Sequence, residues 1–256
     1  MLSRRHIRLK VMQSLYSYFT IKEDNMPLAE RAMLKQINDV VELNLVIISL
    51  LIELVKHADN FYEEGKKKHL PSANDLNPNR RFVENEIIAL IRFDNALMNK
   101  VNRVSGIWLK NDHDLVRKLF SELFKSELYI KYISSEVKGV DVDQRFIVNA
   151  LNEIILNNEL VNHILEERSI YWTDDLPFVA AIIIGQIKAN KIINPYSAFK
   201  DDTDEKFALK LFRNTINNNK EYEDIIVKFS KNWELDRIAI MDQLFLKMAF
   251  AEIFSM

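Results

Sequence analysis

The chain of 256 residues contains no cysteine and only four glycines and five prolines. The absence of cysteine excludes disulfide bonds, thiolate nucleophiles and cysteine-ligated zinc, and it fits a reducing cytoplasm, where we expect the protein to be located. So few glycines and prolines cannot supply the many tight turns of an all-β protein, and we therefore predict an all-α fold. No apolar run has the length of a membrane span, so we expect no membrane as a partner.

Motifs for catalysis, phosphate binding and metal binding are also missing from the sequence. It contains neither GxxxxGK[ST] nor GxGxxG, and its five histidines form no HxxxH pair. Paired acids occur in WTDDLP and FKDDTDE, but we expect both pairs to cap the apolar helices that follow them. We therefore predict no catalytic residue, metal or cofactor. An enzyme is unsupported rather than excluded, because residues far apart in sequence can converge in the fold.

Helical periodicity and two breaks divide the chain into four segments. The patterns predict helices at 3–20, 27–62, 82–104, 112–137, 144–168, 176–194, 206–219, 221–231 and 237–254. A break at 194–206 places Asp202 or Thr203 to cap the helix that starts near Phe207. The predicted segments are N-terminal helices with a basic arm (1–62), a linker (63–81), an inserted helical region (82–205) and C-terminal helices (206–256).

An internal repeat with a spacing of 61 residues links the last two segments. The positions that recur without a gap are Phe146, Ile155, Asn157, Asn158, Ile164, Ser169, Trp172 and Asp175, which match Phe207, Ile216, Asn218, Asn219, Ile225, Ser230, Trp233 and Asp236. The shared plan is helix, Asn-Asn turn, helix, and then W-x-x-D opening an apolar helix. We predict a duplicated helical unit at 146–190, in which the Trp closes one helix and the Asp caps the next.

The first 22 residues contain no acidic residue, although the formal net charge of the chain is −2. The polar residues concentrated at this start are Arg4, Arg5, His6, Arg8 and Lys10. On a helical wheel Lys10 lies opposite the apolar stripe. Arg5 and Arg8 fall on the apolar side but in the first turns, so we expect them to project beyond the edge of the core. Each cation at a helix N-terminus opposes the macrodipole by about 0.3–1 kcal/mol, and such local conflicts tend to mark functional sites. The alternative is a solvated helix end with no function.

Two stretches at opposite ends of the sequence resemble one family. SRRHIRLKVMQSLYSYF resembles the arginine-rich opening of the transcription antitermination factor NusB family, and NWELDRIAIMDQLFLKMAFAEIF resembles its second signature. The second stretch fits the family pattern at Trp233, Asp236, Arg237, Asp242, Leu246, Lys247, Ala249 and Glu252. The resemblance covers residues 1–20 and 206–254.

The resemblance implies two small helical bundles and no enzymatic activity. It implies binding to single-stranded boxA-like RNA together with the ribosomal protein NusE, in a transcription complex with RNA polymerase that reads through terminators in ribosomal RNA operons. By position, the expected RNA contacts are Arg4, Arg5, His6, Arg8 and Lys10. The expected protein-interface residues are Tyr16, Asp236, Arg237 and Asp242.

Two features depart from the compact family form. The middle of the chain, residues 25–205, is enlarged, and the repeat partners of Asp242 and Arg237 there are Ala181 and Leu176. The chain also stops at Met256, where family members continue into a further helical segment, so it is expected to be incomplete at its C-terminus.

The final helix is apolar around most of its circumference. We therefore expect an exposed apolar groove of at least roughly a few hundred Å² along it. Exposure of Phe245, Phe250 and Phe254 tests this expectation.

Two other functions stay open at this stage. A NusB-like domain also precedes the catalytic domain of some RNA methyltransferases, although no glycine-rich cofactor loop follows here. A purely structural helical scaffold is the second alternative. The oligomeric state, including a homodimer, is not determined by the sequence.

Overall fold

A computed structural model describes residues 2–22, 24–109, 114–189, 197–230 and 235–255, and these residues form α-helices and no β-strand. The predicted all-α fold is confirmed. The first eight helices are α1 (Arg4–Ile21), α2 (Met26–Lys66), α3 (Ala73–Leu76), α4 (Glu86–Phe93), α5 (Asn95–Val104), α6 (Gly106–Leu109), α7 (Leu115–Lys125) and α8 (Glu127–Ser134). The others are α9 (Val140–Ala150), α10 (Glu159–Arg168), α11 (Ile170–Lys188), α12 (Asp202–Asn217), α13 (Asn219–Phe229) and α14 (Ile240–Ser255). None of the described helices is both long and apolar enough to span a bilayer.

The chain divides into two compact units, and the first consists of residues 1–41 and 196–256. In this unit α1 packs against α12 and α14, and α14 also packs against α12 and α13. The core of this unit is apolar and includes Ile7, Val11, Leu15, Leu211, Phe212, Leu244 and Ala251. The first unit therefore joins the two ends of the sequence, which carry the two motifs, in one bundle.

The start of the chain is fixed to this bundle. The Leu2 N–H donates to the Ala198 carbonyl at 2.7 Å, and the Leu2 side chain is buried. Ser3 caps α1, because its Oγ accepts a hydrogen bond from the His6 N–H. The helix ends at Lys22, which adopts the left-handed conformation (φ 54°) and donates its N–H to the Tyr18 carbonyl. The basic start is therefore not a frayed helix end.

The second unit, residues 42–195, contains a buried polar network at the start of α4. Asn85 caps α4 by accepting from the Ile87 N–H at 2.9 Å and donates through Nδ2 to the Tyr132 hydroxyl at 3.0 Å. That hydroxyl in turn donates to Asp143 Oδ1 at 2.8 Å. Burial raises the pKa of the Tyr132 hydroxyl, and the hydrogen bond to Asp143 adds to the shift. The network is paired internally, which is the usual requirement for burying polar side chains.

Several boundaries in the structure differ from the predicted ones. The linker predicted at 63–81 begins with the last turn of α2 and contains the short helix α3. Ser72 and Asp75 form a capping box at the N-terminus of α3. A hydrogen bond from Lys68 is the main reason that the pKa of Asp75 falls to about 2. The boundaries between the compact units also lie at 41/42 and 195/196 rather than at 62 and 205.

The predicted capping residues were partly correct. Neither Asp202 nor Thr203 caps α12, because Asp201 occupies that position and accepts from the Thr203 N–H at 2.9 Å. An acid of FKDDTDE is thus a cap. The acids of WTDDLP are not, because α11 begins at Ile170 and both lie inside it.

The predicted repeat agrees with the structure in its first two helices only. At a spacing of 61, α9 with the π-helical turn Leu151–Ile155 corresponds to α12, and α10 corresponds to α13. The third helices differ, since α14 begins at Ile240 after a 3-10 helix at Leu235–Arg237, whereas α11 begins well before the equivalent position. Asp175 therefore lies within α11 and Asp236 lies within the 3-10 helix, and neither caps the helix as predicted. Trp233 lies outside the described residues.

Candidate nucleic-acid and protein interfaces

Two of the N-terminal arginines are held by carboxylates from distant parts of the sequence. The Arg4 Nε donates to Asp204 Oδ1 at 3.2 Å, and the Arg8 Nε donates to both carboxylate oxygens of Glu252 at 2.9 and 3.0 Å. Both guanidinium groups lie over the ring of Phe207, with their carbons 4.9 and 5.2 Å from its centroid. The start of α1 therefore meets α12 and the end of α14 through charged and aromatic contacts.

Arg5 and His6 complete the exposed polar part of this helix start. Arg5 is exposed and makes no hydrogen bond, ion pair or ring contact within the described residues. The His6 Nδ1 lies 2.7 Å from the Ser3 Oγ. The structure thus brings Arg4, Arg5, His6 and Arg8 together at the first two turns of α1. Carboxylates bind Arg4 and Arg8, whereas Arg5 has no partner within the described residues.

Lys10 does not belong to this surface, which corrects the prediction. Its side chain is only 1% exposed, although the helical wheel placed it opposite the apolar stripe. The reason is that the polar face of α1 is itself packed: Ser14 Oγ donates to Gln36 Oε1 at 2.8 Å, and Gln36 Nε2 donates to Gln13 Oε1 at 3.1 Å. A lysine buried on this face is not available to an RNA strand.

The last helix, α14, presents an apolar stripe to solvent. We define the α14 stripe by the exposed residues on one helix face, which are Asp242, Phe245, Leu246, Ala249 and Ile253. Phe245 is 54% exposed and Ile253 73%, whereas Leu244 and Ala251 on the opposite face are buried. This apolar exposure makes the α14 stripe a candidate interaction surface.

The expected exposure of the three phenylalanines is confirmed for two of them. Phe245 and Phe254 are more than half exposed, and Phe250 is partly covered. The Phe250 ring stacks on that of Phe254 with centroids 5.8 Å apart and also contacts the buried Tyr222. Phe250 therefore lies at the edge of the bundle rather than in the stripe.

The predicted protein-interface residues are all at the surface of the first unit. Asp242 starts the α14 stripe and has no hydrogen bond or ion pair within the described residues. Tyr16 is 40% exposed on α1, which packs against α14. Asp236 and Arg237 are exposed in the 3-10 helix, whose backbone is fixed to α14 because the Gln243 amide donates to the Leu235 and Ile238 carbonyls.

Two residues of the C-terminal motif, Lys247 and Glu252, have partners in the structure that the sequence did not reveal. Lys247 is nearly buried, pairs with Glu223 at 2.7 Å, and lies over the ring of Phe19. Glu252 binds Arg8, as described above. Asp204 and Glu252 lie 200 and 244 residues from the arginines that they bind, so local sequence spacing could not have identified these pairs.

The described residues contain no cluster of His, Asp and Glu side chains arranged to hold a metal ion. The first unit carries two candidate sites. One is the arginine surface, formed by Arg4, Arg5, His6 and Arg8 at the start of α1, and the other is the α14 stripe. Both are open surfaces of the first unit.

The described residues thus belong to an all-α protein whose candidate sites are exposed helix faces, one basic and one largely apolar. Residues 181–256 match the model of the NusB family. The opening motif at residues 1–20 lies outside this match. The resemblance that the C-terminal motif indicated is therefore confirmed.

Two curated relatives match the chain over a short stretch. The transcription antitermination protein NusB of Salinibacter ruber is 41% identical over 54 residues, which is 21% of this chain and 34% of that protein. The protein of the same name from Dictyoglomus turgidum is 43% identical over 49 residues, 19% of this chain and 34% of its own length. The chain thus spans about a third of the length of the curated relatives it matches. No solved structure matches it.

Proposed function

We propose that the protein is an RNA-binding adaptor in transcription antitermination that binds boxA-like single-stranded RNA together with NusE and has no catalytic activity. The observation that carries the proposal is the arginine surface at the start of α1. It lies in the same compact unit as most of residues 181–256, which match the NusB family model. Both curated relatives are named as transcription antitermination proteins, which supports this role over a structural scaffold.

The arginine surface is suited to phosphate recognition. Guanidinium groups bind phosphate oxygens through paired N–H donors, and the three arginines occupy two consecutive turns of one helix. Arg5 is exposed and unpaired within the described residues, so an RNA phosphate can bind it without displacing a carboxylate. His6 lies between these arginines and offers a further polar contact.

The RNA proposal is tested by Arg5→Ala, with Arg31→Ala as a matched control. Arg31 is an exposed arginine on α2, and within the described residues its Nε donates only to the Pro27 carbonyl of its own helix. Arg5→Ala should weaken binding of a boxA-like RNA and lower the log–log salt slope by about 0.7 for the lost phosphate contact. Arg31→Ala should change neither quantity. Equal effects of the two variants would contradict the assignment of the RNA surface.

The α14 stripe is the surface that we assign to NusE. The stripe is largely apolar and starts with Asp242, a carboxylate that has no partner within the described residues. A bound protein would therefore cover apolar surface and meet a single charge, and protein interfaces commonly combine an apolar centre with polar contacts at the rim. Tyr16 adds an exposed aromatic residue on the neighbouring helix, and aromatic residues are enriched among the residues that dominate binding energy.

The protein proposal is tested by Asp242→Lys, with Asp224→Lys as the control. Asp224 is an exposed acid on α13 outside the stripe, so both variants change the net charge equally. Asp242→Lys should weaken NusE binding by more than roughly tenfold, because a reversed charge adds repulsion to a lost contact. RNA binding by the isolated protein should be retained in both variants. If NusE binds the Asp242 variant normally, the α14 stripe is not its binding surface.

A further inference from the structure

We propose that Asp204, Phe207 and Glu252 are positioning residues that hold Arg4 and Arg8 as a preorganised clamp for RNA phosphates. The inference rests on the proposed function and concerns how its RNA surface is built. The three residues touch the arginines and not the RNA, so their effect on binding is indirect.

The carboxylates engage only one edge of each guanidinium group. Asp204 and Glu252 accept hydrogen bonds from the Nε atoms, and the terminal amino groups make no hydrogen bond within the described residues. The Arg4 and Arg8 side chains are 54% and 43% exposed. A guanidinium group has five N–H donors in a planar fork, so four donors of each arginine stay available for phosphate oxygens.

Phe207 contacts both arginines. Its side chain is buried at the first turns of α12, and both guanidinium groups lie over its ring. Arg4 and Arg8 are four residues apart on α1, which places them on the same helix face. A ring contact and an Nε hydrogen bond together restrict rotation of each long side chain. Each arginine therefore loses its rotamer entropy when the protein folds, and this entropy loss does not weaken RNA binding.

The same carboxylates could instead compete with phosphate for the arginines. That reading predicts that they cover the terminal amino groups, which present the paired donors that phosphate binds. They accept from the Nε atoms instead, and the Arg4 and Arg8 side chains keep about half of their surface exposed. The geometry thus favours positioning over competition.

The test compares two double variants with the intact wild-type chain, using a boxA-like single-stranded RNA. Asp204→Ala with Glu252→Ala removes both acceptors, and Asp204→Asn with Glu252→Gln removes the charges but keeps an acceptor oxygen on each side chain. Positioning predicts that the alanine variant binds about fivefold more weakly, while the amide variant stays close to wild type. The salt slope should be unchanged in both, because the arginines are still present.

The other outcomes overturn the clamp. Tighter binding by both variants would mean that the carboxylates compete with phosphate. Unchanged affinity of the alanine variant, even with a lower melting temperature, would mean that they only stabilise the fold. If wild type binds RNA and the alanine variant is unaffected, the clamp fails and the proposed function stands; if wild type binds no RNA, the proposed function itself fails.

A measurement on the wild-type protein keeps the test independent of variant folding. The Nε–Hε groups of Arg4 and Arg8 should give NMR signals with slow solvent exchange and restricted motion in the free protein, in contrast to Arg5. The Arg4 and Arg8 signals should retain this restriction when RNA is added. Motional averaging of Arg4 and Arg8 to the level of Arg5 would overturn the clamp.

Discussion

The contact between Arg8 and Glu252 gives a quantitative prediction for the stability of the first unit. Arg8→Ala removes two hydrogen bonds to a carboxylate and a cation–π contact with Phe207. The two side chains are 43% and 29% exposed, so solvent screens the pair and it should contribute no more than about 1 kcal/mol. The ring contact adds about 0.5–1 kcal/mol. We expect Arg8→Ala to cost about 1–2 kcal/mol in total.

A double-mutant cycle separates these two contributions. Urea unfolding followed by circular dichroism should show a coupling of about 0.5–1 kcal/mol between Arg8→Ala and Glu252→Ala. With a urea m-value of about 2 kcal/mol/M, Arg8→Ala alone should lower the midpoint by roughly 0.5–1 M. Arg5→Ala is the control, since this exposed arginine has no partner within the described residues and should shift stability by less than about 0.5 kcal/mol. A zero coupling energy, or equal costs for the two arginine variants, would refute the described geometry.

Two further predictions concern stability and follow from other parts of the chain. Arg213 binds both carboxylate oxygens of Glu30 at 2.6 and 2.7 Å and thereby lowers the Glu30 pKa below 4.5. Because the pKa is depressed in the folded state, the pair stabilises the protein above pH 4.5 and loses this effect as the pH falls through the folded pKa. Glu30→Gln should therefore lower the free energy of unfolding by about 1 kcal/mol at pH 7, and this cost should shrink as the pH is lowered below 4.5. A cost that stays constant as the pH is lowered in a series of urea titrations would contradict this. Asn85→Ala removes the cap of α4 and a buried hydrogen bond to Tyr132, and it should cost about 2–3 kcal/mol in the same assay, whereas a cost below about 0.5 kcal/mol would argue against the buried network.

The all-α fold was predictable because helical periodicity and the low content of glycine and proline are local properties of the sequence. Exposure of Phe245 and Phe254 was also predictable, since α14 is apolar on more faces than one small bundle can cover. Helix starts were less predictable. WTDDLP looks like a helix start, but α11 begins at Ile170 and continues through the motif.

The arginine surface was predictable in its residues and not in its structure. The absence of acids in the first 22 residues identified Arg4, Arg5 and Arg8. The carboxylates that bind Arg4 and Arg8 come from α12 and α14, and contacts between distant segments have no local sequence signal. Lys10 was misassigned for a related reason, because a helical wheel separates polar from apolar faces and does not show that the polar face packs against another helix.

The proposed function is that of an adaptor that binds RNA together with a protein partner. The most direct measurement is the affinity of the intact chain for a boxA-like single-stranded RNA and for a scrambled RNA of equal length, each with and without NusE, at one fixed salt concentration. We expect measurable binding by the chain alone and tighter binding of the boxA-like RNA when NusE is present. Absence of RNA binding under both conditions, or affinities that do not depend on NusE or on the RNA sequence, would contradict it.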